Sequence, residues 1–140
     1  VQDLSLRATQ AGAKISHNIP KHLIITGNYT LLYSIFHNIV ENAINYVEKA
    51  EIIIQLTHQD PGNVYFSICD NGQGIPSDAL AHIFERFYRV DKGRSRKAGG
   101  TGLGLSIVKH AVIFHGGKIT AVNRTNGGLE FQFSLARRSK

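Results

Sequence analysis

The 140-residue chain has one cysteine, three prolines, no methionine and no tryptophan. A single cysteine excludes a disulfide framework and fits a reducing compartment. Cys69 itself lies in an apolar run and reads as a small buried hydrophobe. No apolar run approaches the roughly 20 residues needed to span a bilayer, and the N-terminus lacks the basic-then-apolar layout of a secretory signal. Internal repeats and low-complexity tracts are absent too. The sequence opens at Val1 without Met, as expected for a segment of a longer polypeptide. At this length one domain is expected, burying roughly two-thirds of its unfolded surface without a disulfide or metal staple.

Charge is present mostly as an excess of one sign, with a formal net charge of +6. Arg86, Arg89, Lys92, Arg94, Arg96 and Lys97 crowd one segment, and Arg137, Arg138 and Lys140 form a basic tail. Such clusters serve as solvated surface or as nucleic-acid contacts. A third reading fits better here, because the first cluster runs directly into a glycine-rich loop. Cations beside such a loop neutralise a polyphosphate, and the interspersed Gly93, Ser95 and Ala98 let the segment close over a ligand.

Residues 1–12 are weakly patterned and read as a linker end or edge segment. Residues 13–19 and 22–26 alternate around Pro20 as two short strands, after which Asn28 is placed as a helix N-cap. From Tyr29 to about Glu48 the period is helical, with Leu32, Phe36, Ile39, Val40, Ala43 and Val47 on one face. Residues 50–58 and 64–70 read as strands joined by a hairpin turn. A short helical stretch follows Pro76, and its aromatics Phe84, Phe87 and Tyr88 are expected to anchor it to the core. The last helix spans about Leu103 to His115, with Ile107 on its inner face, and ends at Gly116-Gly117. Residues 118–123 and 129–135 close the chain as two strands. These elements predict a two-layer α/β sandwich, with a mixed, mainly antiparallel sheet and about three helices on one face.

Three constellations carry chemistry. Asn38, Asn42 and Asn45 form a stripe along the first helix, where Lys, Glu and Gln would be ordinary and Asn is a poor helix former. Either the amides are merely solvated, or their oxygens serve a hard cation such as Mg²⁺ that takes further ligands from phosphate. Asp70-Asn71-Gly72-Gln73-Gly74 closes an apolar strand. It is a plain turn, or it presents a carboxylate that accepts from an adenine N6 amine and repels a guanine O6. Gly99-Gly100-Thr101-Gly102-Leu103-Gly104-Leu105 opens a helix, where backbone N–H groups can cradle phosphate. Leu105 after Gly104 excludes a Walker loop and the dinucleotide spacing, and Gly72 at a ligand position excludes an EF-hand.

In this order, Asn38-x-x-x-Asn42-Ala43, Asp70-x-Gly72-x-Gly74, Phe84-x-x-Phe87-Tyr88, Gly100-x-Gly102-Leu103-Gly104-Leu105 and Gly127-Gly128 before a closing strand, the chain resembles the catalytic ATP-binding domain of bacterial sensor histidine kinases. The resemblance covers residues 13–136 and implies a Bergerat-type sandwich with ATP between the Asn helix and the basic lid. It implies Asn42 as the Mg²⁺ ligand, Asn38 as a helper to the phosphates or the metal's water shell, Tyr46 beside the adenine, Asp70 as N6 acceptor and Ile75 as pocket wall. Gly72 and Gly74 would let the base approach the backbone. Gly100, Thr101, Gly102, Leu103, Gly104 and Leu105 would form the phosphate cradle, and Arg94, Arg96 or Lys97 would reach the γ-phosphate. Two positions depart from the pattern: Asn45 stands where the family usually has Lys or Arg, and Leu129 where it usually has Thr.

Related hydrolases of this fold place Glu where Asn38 stands. A neutral amide cannot take a proton from water, so phosphoryl transfer to a histidine is expected rather than rapid hydrolysis. None of the seven histidines is followed by an acidic residue. The acceptor is therefore expected on a dimerisation domain outside this chain, in a homodimeric parent that passes phosphate to a response regulator. The parent is expected to be anchored in the inner membrane with this domain cytoplasmic, touching neither membrane nor nucleic acid. Glu41 is read as a surface residue. A slow ATPase or serine-directed kinase on the same sandwich is the alternative, and a nucleotide-free interaction module the third.

Overall fold

The computed structural model describes residues 14–19, 27–47, 49–86, 104–125 and 127–136, with Asn45 and Tyr46 described by their backbone alone. The alternating β-branched runs form five strands: β1 (Lys14–Asn18), β2 (Glu51–Gln59), β3 (Asn63–Cys69), β4 (Ile119–Asn123) and β5 (Leu129–Ala136). They make one sheet in the order β1-β2-β3-β5-β4. The β1–β2 pair is parallel and the other pairs are antiparallel. Helices α1 (Tyr29–Tyr46) and α2 (Gly104–Phe114) form the second layer, so the class is the expected α/β sandwich.

Helix α1 starts where Asn28, in extended conformation, accepts a hydrogen bond from the Leu31 N–H at 3.0 Å. This satisfies one of the orphan donors of the first turn. Its inner face carries Ile35, Ile39, Val40 and Ala43, packed on Val64, Phe66 and Ile68 of β3 and on Phe131, Phe133 and Leu135 of β5. Phe66 pairs with Phe133 across the two strands, their rings stacked at 5.3 Å, and Phe36 meets both edge-on at 5.6 Å. Each fully buried side chain of this size contributes roughly 1.5–3 kcal/mol, so the core fixes α1 firmly against the sheet.

Helix α2 runs opposite to α1. Buried His115, just past its end, accepts from the Asn28 N–H through Nε2 at 3.0 Å and donates from Nδ1 to the Ala111 carbonyl at 2.8 Å. The packed face is Val108, Ala111, Val112 and His115, a regular i, i+3, i+4, i+7 stripe. Ile107 is 42% exposed, contrary to the expectation from sequence. The helix is apolar nearly all round, with Ile113 and Phe114 also exposed, so periodicity alone did not fix its orientation.

The described residues hold two helices, not about three. After Pro76 the chain makes successive turns instead, with bonds from Ala79 N–H to Pro76 O, His82 N–H to Ala79 O and Glu85 N–H to His82 O. These i to i+3 bonds are tighter than α-helical ones and do not propagate. Buried Ala79 and Ile83 hold the segment down, and Phe84 meets Phe131 edge-on at 6.0 Å, as its anchoring role requires. Phe87, Tyr88, the expected strand at 22–26, the segment at 1–12 and the tail at 137–140 lie outside the described residues. Among the described residues no helix is long and apolar enough to cross a membrane.

Candidate functional site

Asp70 leaves the end of β3 and is 6% exposed. Its Oδ1 accepts from the Gly72 N–H at 2.9 Å and from the Leu129 N–H at 3.1 Å. Oδ2 makes no hydrogen bond among the described residues. The carboxylate is thus held by one oxygen and offers the other, which suits an acceptor for an exocyclic amine. The Leu129 bond is a backbone one, so it holds Asp70 whichever side chain stands at that position.

The loop after Asp70 rests on the β4–β5 turn. Gly128 has φ +99°, and a Cβ there would run into the Asp70 carbonyl. Gly74 has φ +78° and packs on Asn123, whose amide bonds both main-chain groups of Ile75. Arg124 donates from Nη1 to the Asp70 carbonyl at 3.0 Å. On the other side, Asn71 Oδ1 accepts from the Glu51 N–H at 2.8 Å. Asn123 and Arg124 are site residues that the sequence did not reveal, because their partners lie 48 and 54 residues away.

Helix α1 connects this loop to the second glycine element. A Cβ on Gly72 would lie 2.6 Å from Val47 Cγ2, so the loop sits directly on the end of α1. A Cβ on Gly104 would lie 3.2 Å from Asn38 Oδ1, which places the start of α2 beside the middle of α1. Asn38 is oriented by its own helix, Nδ2 donating to the Ser34 carbonyl at 2.8 Å. Its oxygen faces Gly104. Asn42 is half-buried, and its side chain makes no hydrogen bond to another described residue. Val47, the cap of α1, stands nine positions after Asn38, about 13 Å further along at helical rise.

Glu41 is half-buried and takes part in an interaction, so it is not the simple surface residue expected. Leu105 is half-buried and packs on the core. The side chains of Asn45 and Tyr46 are not described, and Arg94, Arg96, Lys97, Gly100, Thr101, Gly102 and Leu103 lie outside the described residues. No group of three or more His, Cys, Asp or Glu side chains converges among the described residues. The amide oxygens of Asn38 and Asn42 are of the oxygen-donor type that hard cations such as Mg²⁺ take.

Comparison with known proteins shows the family and the fold. Residues 27–139 match the family described as histidine kinase-, DNA gyrase B- and HSP90-like ATPase. The sensor-like histidine kinase SenX3 of Mycobacterium tuberculosis is 35% identical over 128 residues, covering 91% of this chain and 31% of that protein. The chain thus spans about a third of the length of that relative. The catalytic domain of histidine kinase ThkA, solved without nucleotide, matches with a TM-score of 0.79 at 26% identity, covering 97% of this chain and 89% of that one. Full-length ShkA in complex with AMPPNP matches with a TM-score of 0.77 at 30% identity, over 99% of this chain and 29% of that one. The chain has the fold and the relatives of a histidine kinase ATP-binding catalytic domain. With the match running over most of its length, it belongs to the family of histidine kinase-, DNA gyrase B- and HSP90-like ATPases.

Proposed function

We propose that residues 13–136 bind Mg-ATP along α1 and present its γ-phosphoryl group to a histidine on a dimerisation domain of the parent protein. The observation that carries this reading is the bridge made by α1. Its end supports the Asp70 loop through Val47, and its middle lies against Gly104 through Asn38. In this reading the Asp70 Oδ2 accepts from adenine N6, and Gly74 and Ile75 wall the base. Tyr46 and Asn45 are assigned to the same nucleotide site, Tyr46 to the base. The loop from Gly100 to Leu105 cradles the phosphates, and one of Arg94, Arg96 or Lys97 neutralises the γ-phosphate.

A magnesium ion held here would supply neutralisation of the phosphate charge. Asn42 would hold that ion through its amide oxygen, and Asn38 would help position the phosphates or the ion's water shell. Asn38 is a neutral amide and cannot serve as base toward water, which favours transfer over hydrolysis. Catalysis by this domain is positioning and charge neutralisation. The acceptor histidine and its acidic base belong to the rest of a homodimeric parent anchored in the inner membrane. Its cytoplasmic output is a phosphorylated response regulator.

Titration of the chain with ATP, with and without magnesium, tests this proposal. Binding should require magnesium in the wild type and lose most of that dependence in Asn42→Ala, while no acid-labile phosphate should form on the chain alone. Unchanged magnesium dependence in the variant contradicts the metal assignment. Phosphate release as fast without an acceptor helix as with one favours the slow ATPase instead.

A further inference from the structure

We propose that Asn123 is a positioning residue for base recognition, holding the loop from Asp70 to Ile75 at the spacing from which Asp70 can meet an adenine. This rests on the nucleotide site proposed above and adds to it a residue on a different strand. Asn123 ends β4 and grips Ile75 with both ends of its amide. Its Oδ1 accepts from the Ile75 N–H at 2.9 Å, and its Nδ2 donates to the Ile75 carbonyl at 2.7 Å. One side chain therefore satisfies both main-chain groups of a residue beyond the end of β3, where no ladder partner is available.

The neighbouring residue completes the grip. Arg124 donates to the Asp70 carbonyl, so consecutive residues of one turn fasten the two ends of the base-reading loop. Gly74 lies between them in a left-handed conformation, its α-carbon packed on the Asn123 amide. Remove the amide and the Asp70 end stays tied through Arg124 and Leu129, while the Ile75 end loses its two bonds. A hydrogen bond tolerates only about 2.7–3.2 Å between heavy atoms, so a shifted pocket wall weakens contact with the base. The phosphate tail, bound beside Asn38 at the middle of α1, does not feel it. Asn123 is exposed, and the β4–β5 pairing does not use its side chain, so the fold itself depends little on it.

Competition binding with Mg-ATP, Mg-ITP and magnesium tripolyphosphate separates these effects, with urea unfolding as the check on the fold. Inosine carries an oxygen where adenine carries the N6 amine, and tripolyphosphate carries no base. Asn123→Ala is expected to weaken ATP about tenfold and to lower the ATP-over-ITP preference by a similar factor, leaving tripolyphosphate unchanged. Asn123→Asp keeps the acceptor and loses the donor, and should fall between the two. An Asn123→Ala chain that keeps its ATP-over-ITP preference overturns the positioning role while the nucleotide site stands. Equal loss for ATP and tripolyphosphate overturns it as well, by revealing a general structural defect. A wild type with no preference for ATP over ITP overturns the reading of adenine by Asp70, and the role of Asn123 with it, while one that binds neither nucleotide sinks the nucleotide site itself.

Discussion

Replacing Asp70 by Asn changes one oxygen into an amino group and leaves the shape of the side chain intact. The Asn carbonyl can still accept from the Gly72 and Leu129 N–H groups, the bonds now made by Oδ1 at 2.9 and 3.1 Å. Folding should therefore lose at most about 1 kcal/mol. The second position is different, because an amide N–H₂ would face the N6 amine donor to donor. Loss of a hydrogen bond to a charged acceptor costs about 1.5–3 kcal/mol, a rise of roughly 10- to 150-fold in the ATP dissociation constant. ITP should suffer less, since the new amide can donate to its O6. Calorimetric titration of both nucleotides, with urea unfolding of both proteins, measures each quantity. ATP affinity within about twofold of wild type would refute the reasoning, as would a stability loss as large as the binding loss.

Three further outcomes follow from the packing. Gly128→Ala forces a side chain into a left-handed backbone against the Asp70 carbonyl, which no rotamer can relieve. It should destabilise the chain by about 2 kcal/mol or more in urea unfolding and weaken ATP binding in parallel. His115→Phe keeps an aromatic ring but strands the Asn28 N–H at the start of α1, at a cost of about 2 kcal/mol in the same assay. The N–H groups of Asn63 and then Gly62 hold the Asp60 carboxyl below its ordinary range. A lowered folded value stabilises the protein above the unfolded carboxylate range, and that stability is lost as pH falls through the lowered value. The acid limb of the stability profile should flatten in Asp60→Asn, measured by urea midpoint against pH.

What the sequence made legible was local. The Asn28 cap, the β-branched strands and the turn at Gly116, which has φ +73°, each depend on residues within a few positions of one another. Asp70, Gly72 and Gly74 could be selected because a carboxylate and flexible glycines at a strand end form a short, readable pattern. The turns after Pro76 were mistaken for a helix, since buried Ala79 and Ile83 sit at helical spacing while the backbone makes tighter bonds. The face of α2 was ambiguous because Ile107, Ile113 and Phe114 are apolar yet exposed. Asn123 and Arg124 carried no local signal. Their roles exist only once the β4–β5 turn is brought against the Asp70 loop. The Leu129 backbone bond was hidden for the same reason, because every residue but proline has an N–H and only tertiary register decides which one reaches a carboxylate.

The most direct measurement is a structure of the chain with magnesium and a non-hydrolysable ATP analogue. The account predicts adenine N6 within about 2.7–3.2 Å of Asp70 Oδ2, with the phosphates beside Asn38, Asn42 and Gly104. A purine bound elsewhere, or no association at millimolar nucleotide, would contradict it.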